Sequence, residues 1–310
     1  MPTSSKATGK DAAATKPAPK AGTRKTAPAA HDATGPKATP PAAADAVQAT
    51  PKTRTAPTAK ARNAAQADDG LGTLKSSAAT FGITLSDDQV AAFARYRELL
   101  LDWNQRINLT AITDPAEVVT LHFLDSLSVL LGVPEELRNG PARVLDVGSG
   151  AGFPGLALAI ALPAWRVTAL EATSKKVRFL EHVVSALRLS NARPVDGRAE
   201  VLAHDKEERG RYDLVVARAL APLPILLEYC QPFARVGGVT IAPKKGDIAE
   251  ELAAGGRAAA QLGGELLPAV PVNAPGLDDG RVLAAVRQER LSLPLYPRSA
   301  GAPTKHPLGR

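Results

Sequence analysis

The sequence contains a single cysteine, Cys230, among 310 residues. One cysteine cannot form an intramolecular disulfide, and it excludes a cysteine-rich metal site. The five histidines show no ligand spacing such as H-x-x-x-H, so we predict no metal site. Cys230 falls inside a predicted helix, where the simplest interpretation is a small buried residue. This cysteine usage leads us to expect a reducing, cytoplasmic setting.

Long apolar runs are also missing. No run reaches the roughly 18 residues that a membrane-spanning helix needs. The N-terminus lacks the apolar core of a secretory signal peptide. We therefore expect a protein without a membrane span.

Residues 1–70 lack Leu, Ile, Phe, Tyr and Trp, and they contain one Val among repeated Ala, Pro, Thr and Lys. Such a segment cannot bury enough apolar surface to offset the entropy lost on ordering, so we predict a disordered tail. The tail has eight Lys and three Arg against five Asp, a net charge of +6, whereas residues 71–310 carry only +1. It suits either weak, salt-sensitive contact with nucleic acid or a solubilising role without a partner.

One folded domain is predicted over residues 71–310, and its first part, 71–135, is helical. Ser86 and Gln89 have the spacing of a capping box, and an apolar stripe at helical intervals follows them. Asp114 and Pro115 start a second helix as cap and first helical residue. This part is expected to form a helical cap on the rest of the domain.

Residues 142–290 alternate between strand and helix patterns, which predicts an α/β fold with a mostly parallel, Rossmann-like sheet. Two last extended segments flank a turn rich in Pro, Gly and Asp and predict an antiparallel hairpin at the edge. Residues 291–310 form a basic, Pro-rich C-terminal segment. The predicted strands are 142–147, 166–170, 192–195, 212–217 and 238–242, and the hairpin segments are 265–272 and 281–288. Between the second and third strands, an amphipathic helix is predicted over 175–189.

A glycine-rich turn follows the first predicted strand, in V-L-D-V-G-S-G-A-G-F-P-G. Gly150 to Gly155 match the dinucleotide fingerprint, but Asp146 would then face a pyrophosphate, where like charges repel. S-adenosylmethionine instead presents an ammonium and a sulfonium, for which Asp146 is a favourable partner. Glu171 ends the second strand, where a carboxylate accepts ribose hydroxyls. The pattern therefore favours S-adenosylmethionine at a turn that includes Gly148 and Gly150.

The end of the fourth strand, A-R-A-L-A-P from Ala217, bears on the methyl acceptor. It lacks the acidic or amide residue, the prolines and the aromatic residue expected in a methyltransferase that acts on the exocyclic amine of adenine or cytosine. A methyltransferase that acts on C5 of a pyrimidine needs a cysteine nucleophile on a loop, whereas Cys230 lies inside the next predicted helix. A nucleophilic acceptor such as guanine N7, which has no proton to remove, remains. Arg218 is the candidate at the reaction centre, by orienting the donor and bonding acceptors on guanine. A salt bridge from Arg218 to Glu200 or Asp213 is the competing interpretation.

Five motifs together resemble the RsmG (GidB) family of 16S ribosomal RNA guanine-N7 methyltransferases. They are L-D-V-G-S-G-A-G-F-P-G, W-N-Q-R-I-N-L-T from Trp103, H-F-L-D-S from His122, R-A-E from Arg198 and A-R-A from Ala217. The similarity runs from about residue 75 to the C-terminus. It implies a class I S-adenosylmethionine-dependent methyltransferase fold, and methyl transfer to N7 of a guanine in the small-subunit RNA.

The resemblance also implies roles for individual residues. The implied donor-site residues are Gly148, Phe153, Ala199, Glu200 and Arg218. The residues implied to lie near the active site or the RNA are Asn108, His122, Lys245 and Arg281. Lys244 adjoins Lys245 where relatives often have one Lys before a glycine, so either lysine is a candidate. Arg281 is followed by Val-Leu where relatives often have a His.

Other interpretations stay open at this point. Asn108 could simply end a helix, and His122 with Asp125 could form a polar pair. A methyltransferase acting on a small molecule or a protein is the alternative function, favoured by the near-neutral charge of residues 71–310. A nucleotide-binding module without activity is a third. The partner expected from the resemblance is the small ribosomal subunit, approached by a monomer.

Overall fold

The computed structural model describes residues 70–310. The prediction of a disordered tail over residues 1–70 lies, except for Gly70, outside the described residues. The described part begins with two helices, α1 (Leu71–Thr80) and α2 (Asp87–Asn104). The predicted start signal of α2 is present in the structure. Gln89 N–H donates to the Ser86 hydroxyl and Ser86 N–H donates to the Gln89 side chain, which completes the capping box.

The second predicted helix begins at Pro115, and the Asp114 carboxylate accepts from the amides of Ala116 and Glu117. It is not a uniform α-helix. It consists of α3 (Pro115–Val118), a π-helical stretch (Val119–Leu124), α4 (Asp125–Leu127) and a 3₁₀ turn (Ser128–Gly132). A short helix, α5 (Glu135–Arg138), leads into the sheet. A π-helical stretch inside a longer helix is frequent at functional sites.

No unbroken apolar run is long enough for a membrane span, but the helical segment Pro115–Gly132, which includes Glu117 and Asp125, is apolar on average. These 18 residues reach a mean hydropathy of 1.2, enough by length and composition to cross a membrane. Most of the segment, 61%, is buried within the structure, however. Its apolar side chains therefore serve the protein core, which is the alternative origin of such a pattern.

The sheet has the strand order β3-β2-β1-β4-β5-β8-β6, with β7 paired to β8 beside β6. Neighbours among the first five strands are parallel, whereas β8 is antiparallel to β5 and to β6. The five predicted parallel strands and the hairpin segment 281–288 are confirmed, whereas segment 265–272 divides into two short strands, β6 and β7. The fifth strand is longer than predicted at both ends, since Ala234 pairs with Tyr212 of β4 and Pro243 to Lys245 pair with β8. The strands are β1 (Arg143–Val147), β2 (Arg166–Glu171), β3 (Ala192–Asp196), β4 (Tyr212–Val216), β5 (Ala234–Lys245), β6 (Gly264–Leu266), β7 (Val270–Pro271) and β8 (Arg281–Gln288).

The expected α/β class is confirmed: a mostly parallel sheet with an antiparallel edge hairpin, the class I methyltransferase fold. The helix predicted over 175–189 ends earlier, because Arg188 adopts a left-handed conformation at φ 52°. The remaining helices are α6 (Gly155–Ala161), α7 (Ser174–Ala186), α8 (Ala199–Leu202), α9 (Leu223–Cys230), α10 (Ala249–Leu262) and α11 (Ala302–Lys305).

The two faces of the sheet bury separate apolar clusters. Val144 of β1 belongs to the cluster that α1 and α2 cover, whereas Leu145 and Val147 belong to the cluster under α9 and α10. This alternation follows from the two-residue period of a strand. It sends Asp146, the residue between Leu145 and Val147, to the face beneath the N-terminal helices.

Contacts from α2 hold the glycine-rich turn in place. The Tyr96 hydroxyl donates to the Ala151 carbonyl at 2.5 Å, and the Gln89 amide donates to the carbonyls of Ile160 and Ala161 at the end of α6. Tyr96 also stacks on Phe153, with ring centroids 5.3 Å apart. These contacts from the helical cap therefore fix the turn that the sequence predicts to be the ligand site.

Candidate active site

The glycine-rich turn between β1 and α6 needs glycines for two different reasons. Gly148, Gly150 and Gly152 all have positive φ, at 71°, 60° and 93°, which side chains rarely adopt. In addition, a Cβ on Gly152 would lie 2.1 Å from the Tyr96 hydroxyl. The amides of Gly148 and Ser149 both donate to the Leu170 carbonyl, which ties the start of the turn to β2.

Asp146 contacts the glycine-rich turn directly. Its side chain is fully buried, and one carboxylate oxygen accepts from the Ser149 hydroxyl at 2.6 Å and from Gly155 N–H at 2.9 Å. Burial raises the pKa of Asp146 to about 6. The direct contact of Asp146 with the donor stays a prediction. In this structure the carboxylate holds the turn through Ser149 and Gly155.

Glu171 also holds the turn. At the end of β2 its two oxygens accept from Gly150 N–H at 2.9 Å and from Thr173 N–H at 2.8 Å. The carboxylate is thereby fixed beside the middle glycine of the turn. A carboxylate has about four lone-pair sites, so two backbone bonds leave capacity for two hydroxyls.

A cleft with two chambers runs along the carboxyl ends of the parallel strands, and Gly148 lines both chambers. The first has a volume of about 170 Å³ and is mainly apolar; it contains the predicted Ala199 and Glu200. The second has a volume of about 220 Å³ and contains the predicted Gly150, Phe153, His122 and Arg218. The fold thus brings these predicted residues together from four separate stretches of the sequence.

Leu220 lines the first chamber at the boundary between the two, and its Cδ1 would lie 2.7 Å from a Cβ on Gly148. Glu200, in the same chamber, accepts from the Arg198 guanidinium at 2.7 Å. Tyr229 and Leu170 complete its apolar wall. A mainly apolar chamber with a few polar side chains in its lining suits a purine ring.

Arg218 is one of two cations that line the second chamber, the other being Lys176. It donates to the Asp125 carboxylate at 2.6 Å and to the Leu121 carbonyl at 3.2 Å, and its guanidinium carbon lies 5.2 Å from the centre of the Phe153 ring. The alternative partners named for Arg218 are wrong, because Glu200 pairs with Arg198 and Asp213 pairs with Arg235. Asp125 was considered only as a partner of His122, and its contact with Arg218 was missed.

The π-helical stretch explains how the main chain meets Arg218. The amide of Asp125 bonds to the carbonyls of Thr120 and His122 instead of the Leu121 carbonyl. The Leu121 carbonyl is therefore available to accept from Arg218. In a regular α-helix the Asp125 amide would occupy that carbonyl.

His122 lies between Arg218 and Thr110. Its Nδ1 is 3.2 Å from the Arg218 guanidinium, its Nε2 is 2.7 Å from the Thr110 hydroxyl, and its ring stacks on Phe153 at 4.6 Å. Burial, and then the charge of Arg218, lower the pKa of His122 to about 4. The ring is neutral at physiological pH. The alternative interpretation, a His122–Asp125 pair, is not what the structure shows, since each of the two residues contacts Arg218.

Asp125 also joins Arg281 to the cluster. Its second oxygen accepts from Arg281 at 2.7 Å, and Arg281 in turn lies 2.9 Å from Asp279. Lys245 extends the row of alternating charges, with its ammonium 2.6 Å from Asp279. The predicted Arg281 and Lys245 are thus linked to Arg218 through carboxylates.

The two adjacent lysines point in different directions. Lys244, with 13% of its side chain exposed, pairs with Glu251 at 2.6 Å and donates to the Ala221 carbonyl at 2.9 Å. It therefore holds the loop that follows Arg218. Lys245 is 59% exposed beside Asp279. Of the two, Lys245 is the one placed to contact an external ligand.

Asn108 is exposed next to the second chamber and does not line it. The loop is instead organised by Asn104, whose side chain accepts from the amides of Leu109 and Thr110 and donates to the Thr110 carbonyl. Sequence reasoning missed Asn104 and Thr110 as site residues. The signal was an amide residue at the end of α2, six positions before a threonine.

The cysteine and metal predictions concern groups away from this cleft. Cys230 is buried in α9, and burial raises the pKa of its thiol well above its ordinary range. In residues 70–310, no group of three or more His, Cys, Asp or Glu side chains could hold a metal ion.

The comparisons with known proteins agree on one family. The family model for GidB, described as rRNA small subunit methyltransferase G, matches residues 89–274. The chain belongs to this family. The ribosomal RNA small subunit methyltransferase G of Roseiflexus sp. (strain RS-1) is 42% identical over 235 residues, covering 76% of this chain and 98% of that protein. The protein of the same name from Dehalococcoides mccartyi (strain CBDB1) is 46% identical over 228 residues, covering 73% and 95%.

Family membership confirms the resemblance read from the five motifs. It makes the protein a methyltransferase that uses S-adenosylmethionine as methyl donor. The matched segment includes α2 from its third residue onward, the π-helical stretch, the glycine-rich turn and the loop after β4. All the elements that line the cleft therefore fall within the part of the chain that defines the family.

Proposed function

We propose that this protein transfers a methyl group from S-adenosylmethionine to N7 of a guanine in the 16S RNA of the small ribosomal subunit. The observation that carries the proposal is the two-chamber cleft at Gly148, in a chain of the rRNA small subunit methyltransferase G family. One chamber suits the adenine of the donor. The other chamber presents Arg218 where donor and acceptor meet.

The residues of the first chamber fit the donor. Ala199 and Leu170 supply apolar surface for a purine, and Glu200 lies at its edge. Glu171 keeps two free acceptor sites for ribose hydroxyls beside Gly150. When bound, the donor supplies an electrophilic methyl on a sulfonium. The absence of a Cβ at Gly148 lets the main chain approach the region where that sulfonium would lie.

The second chamber has the properties needed for a nucleophile that carries no proton. His122 is neutral, and both of its ring nitrogens have partners, Arg218 and Thr110. It is not free to act as a general base. Guanine N7 is an exposed lone pair and needs none. Catalysis then depends on alignment of the lone pair with the methyl group and on exclusion of water.

The ribosomal substrate explains the position of the exposed cations. Lys245 lies at the outer end of the charge row that begins at Arg218, where phosphates of a bound RNA would pass. The basic residues 1–70 supply a further salt-sensitive attraction. We propose that the protein acts as a monomer in the cytoplasm, where ribosomal subunits are assembled.

The test is a methyl-transfer assay with labelled S-adenosylmethionine. Unmodified small subunits, bare 16S RNA and a metabolite pool are offered in parallel, and the labelled base is mapped. Label on guanine N7 of the RNA supports the proposal. Label in a metabolite and none in RNA would transfer the proposal to a small-molecule methyltransferase.

Arg218→Ala is expected to lower kcat by about 100-fold or more, a loss typical of a positioned charged group at a reaction centre. Arg235→Ala is the matched control, because Arg235 pairs with Asp213 and lines neither chamber. Undiminished RNA methylation in the Arg218 variant would reject its assignment.

A further inference from the structure

Thr110 is held on three sides within the second chamber. Asn104 accepts from its amide at 3.0 Å and donates to its carbonyl at 2.9 Å. The amide of Ile112 donates to its hydroxyl oxygen at 3.0 Å. Main chain and hydroxyl oxygen are therefore both fixed in position.

The hydrogen positions around His122 follow from its two neighbours. A guanidinium has only donors, so in the contact with Arg218 at 3.2 Å His122 Nδ1 accepts; the Leu121 carbonyl, which also lies near the ring, accepts from Arg218. The ring is neutral, since its pKa is about 4, and its one hydrogen therefore lies on Nε2. That hydrogen is donated to the Thr110 hydroxyl oxygen at 2.7 Å.

The Thr110 hydroxyl consequently accepts two hydrogen bonds, from His122 and from Ile112. A hydroxyl has two lone pairs and one hydrogen. Both lone pairs are used, and no acceptor among residues 70–310 takes the hydrogen. Because Thr110 lines the second chamber beside Gly148 and Arg218, that hydrogen is available to a ligand in the chamber. The structure thus fixes one neutral donor at the place of reaction.

Lys176 lines the same chamber, and its charge bears on which group of a ligand the Thr110 hydroxyl would bind. Within the described chain, Lys176 has no carboxylate at ion-pair distance. The methionine part of the donor carries a carboxylate, for which a cation is the stronger partner. A neutral hydroxyl is the better match for an uncharged carbonyl on the acceptor.

We propose that Thr110 is a specificity-determining residue that donates its hydroxyl hydrogen to O6 of the acceptor guanine. The inference rests on the proposed function, methylation at guanine N7. N7 and O6 are adjacent acceptors on one edge of guanine, whereas adenine presents an amino donor in place of O6. A fixed donor at this point selects guanine and orients N7 toward the methyl group.

The experiment removes each partner of the hydrogen bond in turn, in a double-mutant cycle. Small subunits are reassembled from ligated 16S RNA whose acceptor position, mapped with the wild-type protein, carries either guanine or 2-aminopurine, which keeps N7 and lacks O6. The full chain is assayed as wild type, Thr110→Val and Thr110→Ser. Thr113→Val serves as control, because Thr113 is exposed and lines neither chamber of the cleft. Donor affinity and thermal stability are measured for each variant.

The wild type is expected to prefer guanine over 2-aminopurine by about tenfold in kcat/KM, since a buried donor is left unpaired with the analogue. Thr110→Val should lower kcat/KM on guanine by about tenfold and bring the preference close to one. Thr110→Ser should restore the preference, and Thr113→Val should keep it. The affinity of Thr110→Val for S-adenosylmethionine should stay within about twofold of wild type, because Lys176 and not Thr110 serves the donor.

Three results would overturn the inference. The first is an unchanged preference in Thr110→Val. The second is equal loss in the Val and Ser variants, which would make the role structural. The third is an affinity of Thr110→Val for S-adenosylmethionine that falls by the same factor as its kcat/KM, which would show that the hydroxyl binds the donor and not the guanine. A wild-type protein that leaves guanine unlabelled would reject the proposed function itself, before any variant is compared.

Discussion

The substitution Asp125→Asn tests the charge cluster that organises the cleft. The Asp125 side chain is 4% exposed and bridges Arg218 at 2.6 Å and Arg281 at 2.7 Å. Asparagine has nearly the same shape, so no cavity forms. Its amide keeps one acceptor, but its NH₂ group faces the other guanidinium, and two donors then oppose each other.

The expected cost can be worked out from these contacts. Breaking a buried ion pair by removing one partner typically costs about 3–5 kcal/mol. The two arginine side chains are 16% and 17% exposed, and one acceptor survives, so we expect the lower end, about 3 kcal/mol. For a domain of this size, 1 kcal/mol lowers Tm by about 2–4 °C, which gives a decrease of about 6–12 °C.

Differential scanning calorimetry at pH 7 measures this change, with methyl transfer assayed in parallel. Asp102→Asn is the matched control, because Asp102 is 54% exposed and pairs with Arg106 on the surface. Its expected cost is below about 1 kcal/mol. An Asp125→Asn protein that melts within about 2 °C of the wild type would refute the argument that the buried carboxylate neutralises two arginines.

Three further perturbations address pH, the glycine turn and the basic tail. The pKa of His122 is lowered from 6.5 to about 4, so between these pH values the unfolded chain takes up a proton that the folded chain does not, and stability is lost as the pH falls. His122→Gln should remove this part of the acid-induced loss of stability. A difference in Tm between pH 7 and pH 4.5 that is the same in the variant and the wild type would contradict the argument. Gly152→Ala places a Cβ 2.1 Å from the Tyr96 hydroxyl, at a residue with φ 93°. Gly82→Ala is the control, because Gly82 also has a positive φ but has open space where the Cβ would lie. The Gly152 variant should be less stable than the Gly82 variant by about 2–3 kcal/mol, and equal Tm values for the two would contradict the clash. Deleting residues 1–69 should leave Tm unchanged and weaken RNA binding at low salt; equal affinities of the two chains at low salt would reject the RNA contact.

Local signals predicted the secondary structure well. The strands of the sheet and the start of α2 and of the helix at Pro115 depend on apolar period, capping side chains and proline, which act over a few residues. The end of α7 was placed too late, since the left-handed conformation of Arg188 has no marker in its own residue type. The π-helical stretch at Val119–Leu124 was equally invisible, because its apolar pattern is also that of an α-helix.

The candidate site was predicted residue by residue but not in its connections. Arg218 was identified, yet its partner Asp125 lies 93 positions earlier in the chain. Asp146 was assigned to the donor because it precedes the turn, and its bonds to Ser149 and Gly155, which hold the turn, were not predicted. Thr110 was overlooked because a threonine has no distinctive chemistry until its lone pairs are counted.

The sequence by itself determined the fold class, the family and the glycine-rich turn, because these depend on periodicity and on short motifs that can be recognised without the tertiary structure. Only the tertiary structure decided which charges meet. Ion pairs and hydrogen bonds act over about 3 Å, and the folding of α2, the π-helical stretch and the β4 loop onto one edge of the sheet brings those groups within reach. The different partners of Lys244 and Lys245, and the hydrogen bonds that the Thr110 hydroxyl makes, are consequences of that packing.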